Sequence, residues 1–236
     1  MNEISLPPVW DKDGYSMFRE ALAAMGEEKL KKFHSGLIPG APQMYGIRIP
    51  VLRKISKEIL KTDYKSYLAL EKQPYHEETI IEGLVLAGIK CGYGETLDNM
   101  HRFIPKITNW AINDTVVFRE IKKHTDSFIN DADEFVFSDN PWAQRFGLSH
   151  LMSFCLTDKH IDAVLDKVGK VDSDFYYVQM MQAWLVATAA AKQREKTLEF
   201  LKRGSLNETT LKMTAQKMRD SYRISKDDKA FVTSLY

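Results

Sequence analysis

The sequence has few cysteines, no long apolar run and almost no net charge. Its 236 residues include only two cysteines, Cys91 and Cys155, whose spacing fits neither a metal site nor a redox motif and which indicate buried thiols in a reducing compartment. No run of about 18 apolar residues could cross a membrane. The first residues lack the basic and apolar regions of a secretory signal. These absences predict a cytoplasmic protein without membrane spans.

Several catalytic signatures are also missing. The sequence contains no glycine-rich phosphate loop and no serine nucleophile elbow. Its six histidines show no convincing metal-ligand spacing, although His150 and Cys155 share one predicted helix. We therefore expect neither a metal ion nor a cofactor.

The charge is unevenly distributed. The net charge of +1 does not by itself indicate a polyanionic partner, but residues 189–226 contain ten cations against four anions. Such a region is compatible with a surface that faces phosphates, and an ordinary solvated helical face is the alternative. The candidate phosphate contacts in this region are Lys212, Lys217 and Arg219.

Apolar residues recur at three- and four-residue spacing along the chain, which predicts helices throughout and no strand. Asn140 before Pro141 and Asn207 before an acidic turn are expected N-caps. The predicted helices lie near residues 14–25, 27–36, 50–60, 63–72, 76–90, 94–104, 108–124, 127–137, 140–156, 158–168, 174–191, 193–203, 207–221 and 226–235.

The longer predicted helices begin near residues 76, 108, 140, 174 and 207, and a shorter partner follows each. Because one helix pair cannot bury its own apolar face, this period predicts an all-α, HEAT-like helical repeat solenoid (an α-α superhelix) with a concave binding face. We expect a single domain over 1–236. It would comprise an N-terminal helical cap and linker at 1–50, including the irregular stretch 35–50, and a repeat array at 51–236.

The stretch "ITNWAINDTV" places Trp110 and Asp114 four residues apart, on one face of the predicted helix. A buried tryptophan beside a solvated aspartate is the simplest explanation of such a pair. Trp142 and Trp184 lie in apolar helices, where packing is the default. Arg145 lies inside an apolar helix and needs a partner, because its guanidinium is seldom buried alone and suits phosphate or carboxylate.

Four segments, "MYGIRIPVLRKISKEI", "ITNWAINDTVV", "SDNPWAQRFGLSHLM" and "FYYVQMMQAWLVATAAAK", resemble in order and spacing the AlkD-like family of bacterial DNA alkylation-repair glycosylases. The resemblance runs from about residue 30 to the C-terminus. It implies a monomer that removes cationic N3- and N7-alkylated purines from double-stranded DNA by hydrolysis of the N-glycosidic bond. By position it assigns catalysis to Asp114, lesion contacts to Trp110 and Trp184, and a phosphate contact to Arg145.

The chain also departs from that family. Asn109 and Ala111 replace a second tryptophan and a second acid, and Lys212 follows Leu211 where paired arginines can occur. The segment 35–46 is longer than the usual entry to the array and could partly cover the groove. Fewer arginines mean fewer phosphate contacts. The alternative function is therefore a non-catalytic repeat protein that binds DNA or a protein partner through its concave face.

Overall fold

The structure, a computed structural model, describes residues 6–38, 40 and 42–236, and over these residues the protein contains helices and no strand. The prediction of an all-α fold is confirmed. The helices form two units, the first ending at Arg119 and the second comprising Glu120–Tyr236. None of the helices in the described ranges is long and apolar enough to cross a bilayer.

The first unit is organised around one buried helix. Its helices are α1 (Lys12–Met25), α2 (Glu28–Leu37), α3 (Ile49–Ile59), α4 (Tyr64–Ala69), α5 (His76–Gly88), α6 (Tyr93–Phe103) and α7 (Trp110–Thr115). Helix α5 packs against α3, α6 and α7. Ile80, Ile81 and Val85 of α5 are fully buried, because apolar side chains occur on several faces of this helix rather than on one stripe.

A buried carboxylate fixes the chain that connects α2 to α3. Glu77, which is 1% exposed, accepts hydrogen bonds from the backbone N–H groups of Tyr45 (2.9 Å), Gly46 (2.7 Å) and Ile47 (3.1 Å). Gly46 has a φ of +88°, and a Cβ there would lie 2.5 Å from the carbonyl oxygen of Glu27. This position therefore requires glycine.

The segment 35–46, expected to be a linker longer than the usual entry to the array, begins inside α2, which ends at Leu37, and its residues 42–46 are irregular. Two of its members, Pro39 and Ala41, lie outside the described residues. Ile38 and Met44 are buried, so these two side chains anchor the segment to the first unit.

The second unit is a stack of helices in two layers. Its helices are α8 (Thr125–Asp131), α9 (Asp133–Val136), α10 (Pro141–Phe154), α11 (Ile161–Lys170), α12 (Tyr176–Lys192), α13 (Arg194–Lys202), α14 (Glu208–Asp220) and α15 (Lys226–Thr233). The long helices α10, α12 and α14 pack in succession, and α11 packs against α13. This arrangement is that of a helical repeat. As expected, the Asn140 and Asn207 side chains cap α10 and α14.

The predicted helix over 108–124 is wrong. Helix α7 ends at Thr115, and a 3₁₀ turn follows at Arg119–Lys123. Val116 is extended (φ −95°, ψ 113°), and Val116 and Phe118 are both buried. Burial at every second residue fits an extended chain, and consecutive β-branched residues at 115–117 disfavour a helix.

Candidate functional site

The short helix α7 carries the pair of residues that the sequence singled out. Six residues are too few for a stable isolated helix, so α7 depends on its surroundings. The Asn109 side chain caps it by accepting hydrogen bonds from the N–H groups of Ala111 (3.0 Å) and Ile112 (3.1 Å). Ile112 is fully buried and anchors the helix to the core. Asn109 therefore has a structural role at the start of α7.

Trp110 and Asp114 line one pocket in the first unit, with a volume of about 260 Å³. This is near the lower end of the ~300–1,000 Å³ usual for small-molecule sites. Its remaining walls come from α2, α3, the start of α5 and α7: His34, Leu37, Ile38, Ile49, Arg53, His76, Ala111 and Thr115. The pocket therefore combines one carboxylate, one indole, one guanidinium and two imidazoles with an apolar wall.

The Asp114 carboxylate is held by its neighbour in the sequence. Asn113 is fully buried, and its Nδ2 donates a hydrogen bond to Asp114 Oδ1 at 2.9 Å. Asp114 itself is half-buried. A buried amide that binds one carboxylate oxygen restricts the rotation of that side chain, so Asn113 orients the acid.

Arg53 of α3 forms a hydrogen bond with the C-terminal end of α7. Its Nη2 donates a hydrogen bond to the carbonyl oxygen of Thr115 at 3.1 Å. The last carbonyls of a helix carry partial negative charge and lack helical donors. Arg53 satisfies one of them, and it places a mostly exposed cation on the pocket that contains Asp114.

The end of α2 forms the wall beside the indole. Trp110 Nε1 donates a long hydrogen bond to the carbonyl oxygen of Leu37 at 3.4 Å, and Leu37 and Ile38 line the pocket. The first residues of the segment 35–46 therefore contact the Trp110 indole and restrict its orientation.

Two histidines add polar groups to the pocket. His76, the first residue of α5, is 3% exposed, and its Nδ1 has no hydrogen-bond partner among the described residues. Burial lowers the pKa of His76 below 6.5, nearby Glu77 opposes that shift, and His34 adds to it. The His76 imidazole is therefore neutral at neutral pH. Within residues 6–38, 40 and 42–236, no group of three His, Cys, Asp or Glu side chains could hold a metal ion.

Trp184 and Arg145 lie in the second unit. Trp184 on α12 is 43% exposed although its neighbours Ala183 and Leu185 are fully buried, so its indole points away from the core. Arg145 on α10 is 4% exposed, and its Nη1 donates to the carbonyl oxygen of Tyr177 at 2.6 Å. That bond ties α10 to the start of α12. The roles of Trp184 as a lesion contact and Arg145 as a phosphate contact stay predictions.

The predicted basic contacts lie on α14, where two of them make intramolecular bonds. Lys212 pairs with Glu208 one turn earlier on the same helix. Arg219 donates to Gln216 Oε1 and to Tyr236 Oη, both at 2.7 Å. Lys217 is half-buried. In the wider basic region, Arg194 pairs with Asp228 and Lys196 with Asp162, so part of its charge is neutralised.

Sequence reasoning missed three polar residues of the pocket: Arg53, His34 and His76. Arg53 stands in one of the four segments that carry the family resemblance, but nothing in its local spacing indicates a contact with a helix 62 residues later. His76 directly precedes the acidic pair Glu77 and Glu78, and that cluster at the start of an apolar helix was the available signal.

A family model described as "DNA alkylation repair enzyme" matches residues 18–223. The matched region covers most of the chain and includes the pocket residues Trp110 and Asp114. No individual curated protein matches the sequence at a significant level.

Proposed function

Because the chain belongs to the family of DNA alkylation repair enzymes, we propose that it is a DNA glycosylase acting on cationic N3- and N7-alkylated purines in double-stranded DNA. The observation that carries this proposal is the placement of Trp110 and Asp114, one helical turn apart on α7, in a single pocket. An aromatic ring and a carboxylate together suit a positively charged reaction centre.

The charge of the substrate determines which groups the reaction needs. Alkylation at N3 or N7 makes the purine a cation, which weakens the N-glycosidic bond and makes the base a good leaving group. Cleavage develops oxocarbenium character on the sugar, as in glycoside hydrolysis generally. The enzyme then needs an anion close to the sugar and a positioned water molecule rather than a strong acid.

Asp114 provides both functions in this proposal. Its carboxylate stabilises the developing positive charge and accepts a hydrogen bond from the attacking water. Asn113 acts as a positioning residue, because its amide donates to one oxygen of that carboxylate and leaves the acid oriented before substrate binds. Such preorganised charge is usually the largest single contribution to enzymatic rate enhancement.

Trp110 and Arg53, which line the same pocket as the acid, bind the damaged nucleotide. The indole of Trp110, oriented by its bond to Leu37, offers an electron-rich face or edge to the cationic nucleotide, worth about 0.5–2 kcal/mol. Arg53 is mostly exposed at the pocket, so we assign it a contact to a backbone phosphate near the lesion. The pocket is small, which favours access to the sugar and backbone over enclosure of a whole flipped nucleotide.

In the second unit, we propose that exposed Trp184 contacts the lesion and that Arg145, Lys212, Lys217 and Arg219 contribute to phosphate binding. For Trp184 the supporting observation is its exposure on an otherwise buried helix face. For Lys212, Lys217 and Arg219 it is the excess of cations over anions in residues 189–226. Since Lys212 and Arg219 already make intramolecular bonds, we expect each to add little affinity.

The test is release of free base from a methylated duplex by the purified wild-type protein. We expect 7-methylguanine and 3-methyladenine to appear in solution, leaving abasic sites in the DNA, without added metal and in the presence of a chelator. Duplex binding should weaken as the salt concentration rises.

The same experiment separates the rival function. Salt-dependent duplex binding without release of any base would identify a non-catalytic DNA-binding protein. The absence of both binding and release would reject DNA as the partner.

A further inference from the structure

The first unit contains a second pocket, distinct from the pocket of Asp114. Its volume is about 290 Å³. It lies between α5 and the 3₁₀ turn at Ile104–Lys106, and its polar lining consists of Lys72, Gln73, Thr79, Glu82, Lys106 and Thr108. The glycosidic chemistry proposed above uses none of these side chains.

Positively charged side chains outnumber carboxylates in the lining of this pocket. Glu82 is 2% exposed; one of its oxygens accepts from Lys106 Nζ at 2.6 Å and lies 3.7 Å from Lys72 Nζ. One carboxylate therefore faces two ammonium groups. Arg102 adds a further positive charge, which helps to lower the pKa of Lys72. The Nη2 of Arg102 donates a hydrogen bond to the carbonyl oxygen of Leu68 at 2.6 Å. An anion would balance this cluster.

Lys72 is the more buried of the two lysines. Its side chain is 6% exposed, with Nζ 3.2 Å from the carbonyl oxygen of Leu70 and 4.4 Å from the centre of the Tyr67 ring. Burial lowers the pKa of Lys72 to about 8; Glu82 opposes the shift, whereas Lys106 and Arg102 add to it. A negative ligand would relieve the cation–cation repulsion that remains.

The position of the pocket relates it to the candidate active site. Thr108 stands two residues before Trp110, and Thr79 stands one turn after His76 on α5. The two pockets thus share α5 and the chain that leads into α7. Neighbouring residues of the same two segments therefore line both pockets.

We propose that the pocket formed by Lys72, Lys106 and Thr108 binds a phosphate oxyanion, and that this oxyanion is a backbone phosphate of the DNA strand under repair. The assignment to DNA rests on the proposed function; the assignment to a phosphate rests on the pocket alone. Lys106, whose side chain is 40% exposed, is the lysine that reaches the opening. Thr108 also lines the pocket and contributes a hydroxyl group that can donate to an anion, whereas the Thr79 hydroxyl already donates to the carbonyl oxygen of Tyr75.

The test compares Lys106→Gln with Lys61→Gln. Lys61 is 69% exposed and pairs with Glu58 on the surface of the same unit, so both variants remove one positive charge, but only one alters the pocket. The first probe is inorganic phosphate, titrated against chloride at equal ionic strength and followed by backbone amide NMR. The second probe is an undamaged duplex, titrated over a range of salt concentrations.

We expect phosphate to shift the amide resonances around Lys106 and Thr108 in the wild type and in Lys61→Gln, but not in Lys106→Gln. On duplex, Lys106→Gln should weaken binding by about threefold to tenfold and reduce the salt slope by about one. Lys106→Arg should restore the slope because it keeps the charge. Thermal unfolding of each variant verifies that it is folded.

Phosphate-induced shifts combined with an unchanged salt slope would support the anion pocket and overturn its assignment to DNA, pointing to a small phosphate-bearing ligand. No shift with phosphate and equal duplex binding by both variants would overturn the proposal. The glycosylase assignment is tested separately. If the wild type releases no base but the salt slope of duplex binding is still lower in Lys106→Gln, the proposed reaction is refuted and the assignment of the phosphate pocket stands.

Discussion

Arg53 Nη2 donates a hydrogen bond to the carbonyl oxygen of Thr115 at 3.1 Å, across 62 positions of the sequence. Thr115 is the last residue of α7 and directly follows Asp114. One bond therefore ties the end of the helix that carries the acid to α3, and it brings a guanidinium to the same pocket. Arg53 therefore contributes to the local order of α7, together with the Asn109 cap and buried Ile112, and it adds positive charge to the pocket.

Replacement of Arg53 should separate these two contributions. We expect Arg53→Met to weaken duplex binding and to lower the salt slope by about one, and also to destabilise the fold by about 1 kcal/mol through the lost bond to Thr115. Arg53→Lys should keep the salt slope. The control is Lys57→Met, an exposed change on the same helix. If Arg53→Met binds duplex as well as Lys57→Met does, Arg53 does not contact the DNA.

The aromatic face of Trp110 should matter more than its N–H group. We expect Trp110→Ala to lower kcat/KM for release of 7-methylguanine by about twofold to thirtyfold, the range that corresponds to about 0.5–2 kcal/mol of cation–π energy. Trp110→Phe, which keeps a ring but loses the bond to Leu37, should lower it less. Equal activity of Trp110→Ala and the wild type would show that the indole does not contact the lesion.

The buried carboxylate of Glu77 should be essential for stability. Its oxygens accept hydrogen bonds from three backbone N–H groups. A glutamine side chain in its place would turn an N–H donor toward one of these backbone donors. We expect Glu77→Gln to lower the free energy of unfolding by about 2–4 kcal/mol, measured by denaturant titration. Glu71→Gln, at an exposed position, should change it little. A loss below about 0.5 kcal/mol would mean that the segment 42–48 is held by other contacts.

His150 should make stability depend on pH. Its burial lowers its pKa from 6.5 to about 4, so the unfolded chain takes up a proton that the folded protein does not. The stability that the neutral His150 side chain contributes is fully present above pH 6.5 and is lost as the pH falls toward 4. Over that range the free energy of unfolding decreases by up to about 1.4 kcal/mol per pH unit. Buried His76, whose pKa is also lowered, acts in the same direction.

Unfolding experiments between pH 6.5 and 5 measure this effect. We expect His150→Gln to flatten the pH dependence, whereas His101→Gln at an exposed position should not. A slope that is the same in both variants would show that His150 takes up its proton equally in the folded and unfolded states.

The sequence was sufficient for the helices that follow simple rules. The long helices α5, α10, α12 and α14 begin within two residues of their predicted starts, because apolar periodicity and the Asn140 and Asn207 caps are local signals. Helix α7 was predicted too long, since tertiary burial of Val116 and Phe118 selects an extended chain there.

Among the residues that line the pocket, the sequence singled out Trp110 and Asp114, which are close in the chain, but not the residues that reach the pocket from elsewhere. Arg53 and His76 come to the pocket through the packing of α3 and α5 against each other. No spacing rule connects positions so far apart. The buried carboxylates of Glu77 and Glu82 are likewise explained only by partners from other elements.

The most direct test of the proposed reaction is single-turnover release of 7-methylguanine from methylated duplex by Asp114→Asn. The amide can still bind water but cannot stabilise positive charge, so we expect the rate to fall by a factor of about 10²–10³ or more while thermal stability and duplex binding change little. Asp98→Asn, an exposed change on α6, is the control and should keep the wild-type rate. Base release by Asp114→Asn at the rate of Asp98→Asn would contradict the assignment of the reaction to this carboxylate.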